Sequence, residues 1–242
     1  MWGRRKIVQI VWKIWKAALN FVYPSSCMIC KASLPDSPGL CDSCWDDIEI
    51  WDSELHEVGF EHEFDRIVIL YQFNDCVRSL IHALKYRGKT LPGQIFGKAL
   101  GQRIAGLLEP DTVIVPVPLH SAKTRARGYN QSEIIARAMG RVSGLQVMTK
   151  ALKRVRPTPT QTQLGVLERQ YNVQGAFHVR RPASVEGRKI FLIDDVITTG
   201  ATLNACVQAL RSAGAQCVFV GAVASPPFGE DDLSQDVEKS GS

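Results

Sequence analysis

The sequence predicts an α/β fold in which a parallel sheet is flanked by helices and preceded by a small four-cysteine module. Three observations lead to this prediction. Apolar runs alternate with amphipathic stretches between residues 64 and 224, two CxxC pairs stand near the amino terminus, and the net charge changes sign between segments. A chain of 242 residues, 45% of them hydrophobic, can bury the core that such a fold needs.

The charge distribution divides the chain into four segments. Residues 1–23 carry five Lys and Arg and no acid, and residues 24–63 carry ten acids against one lysine. Residues 64–224 carry 22 Lys and Arg against nine acids, and residues 225–242 carry five acids against one lysine. We therefore predict a basic lead-in, a small acidic module, a large basic domain and an acidic, disordered tail.

The lead-in has apolar residues at helical spacing, which predicts an amphipathic helix. Lys13 and Lys16 interrupt its apolar stretch, which is therefore too short to span a bilayer, since about 20 apolar residues are needed. It also lacks the small-residue cleavage site of a signal peptide. We expect a cytoplasmic protein whose lead-in helix docks on the rest of the chain. The tryptophans at positions 2, 12 and 15 keep an alternative open, a basic helix lying on a membrane or a partner.

The four-cysteine module has the spacing of a metal site. Cys27 and Cys30 form one CxxC pair, Cys41 and Cys44 form the second, and ten residues separate the pairs. Four thiolates so spaced are typical of structural Zn²⁺, which takes four ligands tetrahedrally. A redox pair or two disulfides are the alternatives, and both are disfavoured in a cytosolic chain. Acids surround the module, whereas contacts with nucleic-acid phosphates need Lys and Arg. We therefore interpret it as a metal site that stabilises a segment too small to fold on its own core, or as a protein-docking surface.

Strands and helices alternate in the rest of the chain. Strands are predicted at DRIVILYQF, DTVIVPVP, RKIFLID and AQCVFVGAVA, and helices at NDCVRSLIHALKY, LPGQIFGKALGQRIAGLL, SEIIARAMGRV and LNACVQALRSAG. Strands separated by helices form βαβ units, which give a parallel sheet with helices on both faces. Ligands of such sheets gather at the carboxyl ends of the strands. Asp194 and Asp195 follow the apolar run of residues 190–193 and therefore lie at such an end.

The loop after this acidic pair suits a phosphate monoester. It precedes a helix, so its backbone amides and hydroxyls converge near a positive helix N-terminus. The loop residues are Thr198, Thr199, Gly200, Ala201 and Thr202. Two carboxylates beside a phosphate need a neutral or cationic group between them, and the 2′ and 3′ hydroxyls of a ribose could donate to them. The alternative, a capped helix start with surface acids, would not explain the acidic pair together with both threonines at 198 and 199.

These motifs carry a family resemblance. DDVITTGAT after four apolar residues resembles the phosphoribosyl pyrophosphate (PRPP) signature of type I phosphoribosyltransferases. The four-cysteine module, then VPVPLH and RARGYNQ, then RVRPTPTQTQLGVLERQYNVQGAF before the signature, resembles the ComF/GntX family of competence-type phosphoribosyltransferase-like proteins. The resemblance covers residues 24–224. It implies a type I phosphoribosyltransferase-like fold, PRPP and Mg²⁺ as ligands, and a link to DNA uptake.

The resemblance also implies roles for a basic region in the middle of the chain. Asp194 and Asp195 become the catalytic pair, and a pyrophosphate loop follows the strand TVIVPVP. The residues of this loop and of the basic stretch after it are Pro118, Leu119, His120, Lys123, Arg125 and Arg127. A diphosphate leaving group needs Mg²⁺ and cationic or amide donors, although a solvated basic loop would explain any single one of these cations.

Other residues are assigned less specific roles. Lys85 and Arg87 are a weaker case for anion binding, because a helix C-terminus attracts cations in any event. Asn130 with Glu133 resembles a capping box that opens the next helix. Related enzymes have a flexible hood over the substrate, and the residues of this chain that fall there are Arg154, Arg156, Gln161, Arg169 and Asn172.

The implied reaction is displacement of diphosphate from C1′ of PRPP by a nitrogen nucleophile, through an oxocarbenium-like state. The sequence presents neither an obvious general base nor an element that defines the acceptor. A second hypothesis is therefore a non-catalytic protein of the same fold that handles single-stranded DNA or binds a partner, because the basic domain would also suit a nucleic-acid backbone. The intact acidic pair favours the first hypothesis.

Overall fold

The described chain forms two compact units, one ending at Ile48 and the other beginning at Glu49. The computed structural model describes residues 25–34, 39–51, 64–156 and 175–226. The predicted lead-in helix lies outside these ranges, as does the predicted acidic tail apart from its first two residues. Within the described ranges, no helix combines the length and the hydropathy that crossing a membrane requires.

The described part of the small unit, residues 25–34 and 39–48, has little secondary structure. Strand β1 (Ser25–Ser26) pairs antiparallel with β2 (Ser33–Leu34), and the short helix α1 (Asp42–Asp46) follows. Lys31, with a φ of 68°, lies in the turn between the strands, and its N–H donates to the carbonyl of Cys27 at 3.1 Å. Among the described residues of this unit, the buried hydrophobic ones are Cys27, Leu40, Cys44 and Ile48. Because these four residues stabilise little by themselves, a cross-link between the cysteines would stabilise this part of the chain.

The large unit contains the predicted parallel sheet. The strands in its described residues are β3 (Arg66–Gln72), β4 (Val113–Pro116), β5 (Gln146–Val147), β6 (Leu152–Arg154), β7 (Phe177–Val179), β8 (Lys189–Val196) and β9 (Cys217–Ser225). Five of them pair in parallel in the order β3-β9-β8-β4-β5, whereas β6 and β7 form a separate antiparallel pair. The carboxyl ends of all five parallel strands therefore meet at one edge.

Five helices accompany these strands in the described part of the large unit. They are α2 (Asp75–Tyr86), α3 (Leu91–Ile104), α4 (Ser121–Arg127), α5 (Gln131–Ser143) and α6 (Ala201–Ser212). Four of them fall at the predicted helices. The fifth, α4, covers the basic stretch after VPVPLH, for which the sequence analysis predicted no helix.

The central strand β8 explains why the acidic pair lies where it does. Residues 190–193 of this strand are fully buried, and Ile190 and Leu192 pack in a cluster with Leu203 and Val207 of α6. A parallel strand buried on both faces carries a continuous apolar run. Asp194 and Asp195 are the first polar residues after this run, so they lie at the carboxyl edge of the sheet.

Helices α3 and α5 approach each other closely because glycines lie between them. A Cβ added at Gly97 would lie 2.3 Å from the carbonyl oxygen of Ile135 and 2.6 Å from Cβ of Ala138. A Cβ at Gly101 would lie 2.8 Å from the carbonyl oxygen of Met139. Real Cβ atoms do not tolerate such distances, so this helix spacing requires glycine at both positions.

Candidate functional site

Two strand ends meet at the candidate site. Pro116, the last residue of β4, pairs with Ile193 of β8, and the N–H of Val117 donates to the carbonyl of Ile193 at 2.9 Å. The loop after β4 therefore lies beside the acidic pair that follows Ile193. Asn130 fixes a third element here, because its side-chain amide donates to the carbonyl of Val117 at 2.9 Å while it caps the start of α5.

Asp194 is held by two hydrogen bonds. The hydroxyl of Ser132, on the first turn of α5, donates to Oδ1 of Asp194 at 2.8 Å, and the N–H of Asp195 donates to the same oxygen at 2.8 Å. Burial and the neighbouring charge of Asp195 nevertheless raise the pKa of Asp194 to about 7, against the lowering effects of Lys85 and Ser132. Asp194 is therefore a carboxyl that titrates near neutral pH.

Asp195 is more buried than its position at a strand end suggested. Its residue surface is only 3% exposed, and Nζ of Lys85 lies 2.8 Å from its Oδ2. Burial lowers the pKa of Lys85, but the charge of Asp195 and the contact with it outweigh burial, so the pKa lies above its ordinary value. Lys85 is thus a member of the site and not merely a cation that suits a helix C-terminus.

The raised pKa of Asp194 predicts a dependence of stability on pH. Its carboxyl has a pKa of about 7 in the fold and about 3.9 in an unfolded chain. Between pH values of about 4 and about 7 the folded state therefore binds a proton that the unfolded chain has lost. The free energy of unfolding therefore falls as pH rises from about 4 to about 7. We expect Asp194→Asn to remove this pH-dependent loss of stability. The melting temperature of the variant, taken relative to that of wild type, should therefore be higher at pH 8 than at pH 5.

Thermal melts of the ligand-free protein at both pH values measure this difference. Asp111→Asn, which changes an exposed carboxylate away from the site, is the matched control and should give the same difference at both pH values. An Asp194→Asn variant that tracks wild type at both pH values would contradict the burial of an ionisable carboxyl here.

A cavity of about 610 Å³ lies in front of the acidic pair. Its lining comes from α2, α4, β6, the first turns of α5 and α6, and the loop after β4. The lining residues are Lys85, Tyr86, Gly88, Val117, Pro118, Leu119, Lys123, Ala126, Arg127, Gln131, Arg154, Asp194, Asp195 and Thr202. The structure thus brings together nine residues to which the sequence analysis gave a role, including Lys85 and the hood residue Arg154. His120 and Arg125 are not in this lining.

Helix α4 presents two of its cations to the cavity. Lys123 and Arg127 lie four residues apart on one face, and Gly128, with a φ of 85°, ends the helix. His120 begins it, since its Nδ1 accepts the N–H of Ala122 at 3.3 Å. Burial lowers the pKa of Lys123, and the nearby cations lower it further. Clustered cations of this kind suit an anionic ligand.

Arg127 has contacts that the sequence did not predict, whereas Asn130 caps the next helix as predicted. The guanidinium of Arg127 donates to the side-chain oxygen of Gln131 and lies 5.6 Å from the ring centre of Tyr86. Asn130 accepts the N–H of Ser132 at 3.2 Å, as a helix cap does. The predicted capping box is not completed by Glu133, whose Oε1 instead accepts from Arg137 at 2.7 Å.

The predicted phosphate loop lines a second cavity of about 560 Å³ that also contains Lys85 and the acidic pair. The cavity lining includes Thr198, Thr199, Gly200, Ala201 and Thr202, and on its other side Arg78, His82 and Tyr86 of α2. Gly200, with a φ of 69°, precedes α6, and no side chain caps this helix among the described residues. The first N–H groups of α6 are therefore available to an anion.

The predicted hood residues are only partly described. Arg154 lies on β6, lines the first cavity, and stacks its guanidinium 5.2 Å from the ring centre of Phe177 on β7. Burial lowers the pKa of Arg154. Arg156 is exposed. The other hood residues, at positions 161, 169 and 172, lie outside the described residues.

The four cysteines of the small unit form one cluster. The Sγ atoms of Cys27, Cys30, Cys41 and Cys44 all lie within 4.8 Å of one another. Tetrahedral Zn²⁺ with Zn–S bonds of about 2.3 Å needs sulfurs about 3.8 Å apart, so this donor set fits the ion. Burial raises the pKa of Cys27, but N–H bonds from Cys41, Ile29 and Cys30 outweigh it and lower the pKa to about 6. The thiolate, the form that binds metal, is thus favoured at Cys27.

The sequence missed three residues of the site. Ser132, Gln131 and Tyr86 hold or face the central groups, yet the sequence analysis gave none of them a role in the site, although Gln131 ends the motif RARGYNQ. Ser132 and Gln131 follow the cap residue of α5, and for Ser132 this position in the first turn of a helix beside a strand end is the signal that the sequence carries.

Two domain families match the sequence. Residues 125–239 match a family described as phosphoribosyl transferase domain, and residues 18–55 match a family described as double zinc ribbon domain. With the four-cysteine cluster and the parallel sheet, these matches confirm the predicted fold class and support structural Zn²⁺.

Three similar proteins cover most of the chain. Competence protein F of Haemophilus influenzae is 27% identical over 227 residues, which make up 85% of this chain and 99% of that protein. DNA utilization protein YhgH of Escherichia coli K12 is 32% identical over 163 residues, 65% of this chain and 70% of that protein. Competence protein ComFC of Streptococcus pneumoniae is 26% identical over 172 residues, 71% of this chain and 70% of that protein.

Proposed function

Because this chain belongs to the ComF family of competence-type phosphoribosyltransferase-like proteins, we propose that it binds PRPP with Mg²⁺ and transfers the phosphoribosyl group to a nitrogen acceptor. The observation that carries the proposal is the cavity of about 610 Å³ in which the acidic pair of β8 and the cationic face of α4 meet. In this proposal the protein acts in the cytoplasm, in DNA uptake, where its relatives are named for competence and DNA utilization.

PRPP has three parts that match three parts of the site. Its 5′-phosphate would accept hydrogen bonds from the loop of residues 198–202 and the first turn of α6. Its ribose hydroxyls would donate to the carboxylates of Asp194 and Asp195. Its diphosphate would lie toward Lys123 and Arg127, with the backbone of Pro118 and Leu119 at the cavity wall.

Mg²⁺ suits this arrangement because it binds through one or two carboxylates and the phosphates of its ligand. The carboxylate of Asp195 supports the fit, since its buried Oδ2 already faces a cation, the ammonium of Lys85 at 2.8 Å. When bound, the ion would neutralise charge on the leaving diphosphate.

In the proposed reaction the bond from C1′ to the diphosphate oxygen breaks, and a bond from C1′ to the acceptor nitrogen forms. The diphosphate leaves with the bonding electron pair, and the acceptor nitrogen loses its proton to solvent. Arg127 and Lys123 would meet the negative charge that develops on the leaving group, which is where preorganised cations lower a barrier most. The carboxylates would hold the ribose so that C1′ faces the acceptor.

A second candidate function, handling of single-stranded DNA, is favoured by a different surface. The described residues around β6 and β7, 145–156 and 175–185, contain no acid. Exposed cations there are Lys150, Lys153, Arg156, Arg180 and Arg181, and three of them border a concavity of about 690 Å³. A phosphodiester backbone binds such surfaces without regard to sequence.

One calorimetric experiment tests both functions. We expect PRPP with Mg²⁺ to bind and to raise the melting temperature, because a ligand that binds only the folded state stabilises it. Oligothymidylate is titrated in parallel at about 50 mM and about 200 mM salt, where phosphate-dominated binding weakens steeply. An absence of binding and of any melting shift at millimolar PRPP would contradict the transferase proposal, and salt-sensitive oligonucleotide binding alone would favour the second function.

A further inference from the structure

Lys85 lies between the two cavities and contacts the acidic pair. It belongs to the last turn of α2 and lines both cavities. Its side chain is 23% exposed, whereas that of Asp195 is 5% exposed, and the 2.8 Å contact joins its ammonium to the buried oxygen Oδ2. Among the ion pairs of the described residues, this is the one that reaches the acidic pair.

The two carboxylates are stabilised in different ways. Oδ1 of Asp194 accepts two hydrogen bonds, from Ser132 and from the backbone of Asp195. Oδ2 of Asp195 is buried, and its partner among the described residues is the ammonium of Lys85, which balances its charge at 2.8 Å. A buried carboxylate needs a counter-charge, so the ammonium and a divalent cation would compete for the same oxygen.

We propose that Lys85 is a positioning residue that keeps divalent metal away from the ligand-free site and couples metal entry to the arrival of the diphosphate sugar. The inference rests on the proposed function, because it assigns a role within the same site. When a diphosphate occupies the cavity, its charge would attract the ammonium of Lys85 away from Asp195, and the carboxylate of Asp195 would then be free to hold the metal that accompanies the ligand.

The surroundings of Lys85 allow this movement. Its flexible four-carbon stem starts from a helix end, and the cavity that it lines holds no other described acid than the pair itself. Lys123 and Arg127 line the same cavity, so a diphosphate drawn to them comes within reach of Lys85 as well. The exchange leaves Asp195 with a cation before and after, so no step exposes an unpaired buried charge.

Titration of the ligand-free protein with Mn²⁺, followed by electron paramagnetic resonance, tests the inference. We expect Lys85→Met and Lys85→Gln to bind Mn²⁺ at least about tenfold more tightly than wild type, because a unit charge close to the metal is removed. Lys85→Arg, which keeps the charge, should stay near wild type. Lys98→Met, on the exposed side of α3, removes a cation away from the site and is the matched control.

Lys85→Gln is included beside Lys85→Met in case the latter fails to fold, because glutamine retains a hydrogen-bond donor for Asp195. Circular dichroism checks that each variant is folded. Folded Lys85→Met and Lys85→Gln variants that bind Mn²⁺ no more tightly than wild type would overturn the inference. An equal increase in Mn²⁺ affinity in Lys98→Met would overturn it as well. Because Mn²⁺ is titrated without PRPP, this outcome is independent of the PRPP titration that tests the proposed function.

Discussion

Replacing Asp194 and Asp195 together by asparagine is expected to weaken PRPP binding by at least about tenfold. Hydrogen bonds to charged acceptors contribute roughly 1.5 to 3 kcal/mol each, and about 1.4 kcal/mol corresponds to a tenfold change in affinity. The ribose hydroxyls lose two charged acceptors in this variant, and Mg²⁺ loses its carboxylates. Calorimetric titration of PRPP with Mg²⁺ at pH 8, where Asp194 is ionised in wild type, measures the change.

The fold should survive this double substitution. The asparagine side-chain oxygens can still accept from Ser132 and face Lys85, so the contacts of the ligand-free site are conserved in shape. Asp111→Asn combined with Glu186→Gln neutralises two exposed acids elsewhere and should leave PRPP affinity unchanged. Oligothymidylate binding should be unchanged or stronger in the site variant, since carboxylates repel phosphates. A folded double variant with undiminished PRPP affinity would refute the ribose assignment.

Loss of the zinc cluster should have the second large effect. We expect the purified protein to carry about one Zn²⁺ per chain, and Cys27→Ser combined with Cys44→Ser to abolish it. These two cysteines are the buried members of the cluster. Structural zinc contributes about 10 to 16 kcal/mol of apparent binding free energy in small zinc-dependent folds, so the unit that ends at Ile48 should unfold without it.

Metal analysis and thermal melts measure this effect. Cys217→Ser changes a cysteine outside the cluster and should keep the zinc. The unit that begins at Glu49 has its own hydrophobic core, so the double cysteine variant should still bind PRPP. Wild-type protein purified without chelator and free of zinc would show that the cluster serves another purpose.

The elements of the sheet were predictable because each is periodic within its own segment. The apolar run of β8 and the amphipathic pattern of α5 need no information from elsewhere in the chain. Helix α4 was missed because its sequence, SAKTRAR, has no apolar stripe, and none of its residues is buried. Its ends are defined instead by the capping side chain of His120 and by the left-handed conformation of Gly128.

The contacts inside the site could not be predicted in the same way. Ser132 and Asp194 are 62 positions apart, and their hydrogen bond exists because α5 starts beside the end of β8. Lys85 reaches Asp195 only because α2 ends above the same edge. Sequence motifs identified the acidic pair and its loop, whereas the groups that hold the pair depend on how separate elements pack.

The glycines between α3 and α5 connect the packing of the core with the geometry of the site. Gly97 and Gly101 set the distance between these helices, and α5 begins with Ser132, the hydroxyl that bonds Asp194. A methyl group at position 97 would press on the backbone of Ile135, one helical turn from Ser132. Natural variation at these buried glycines should therefore be limited by the ligand as well as by stability, although neither glycine lines a cavity of the site.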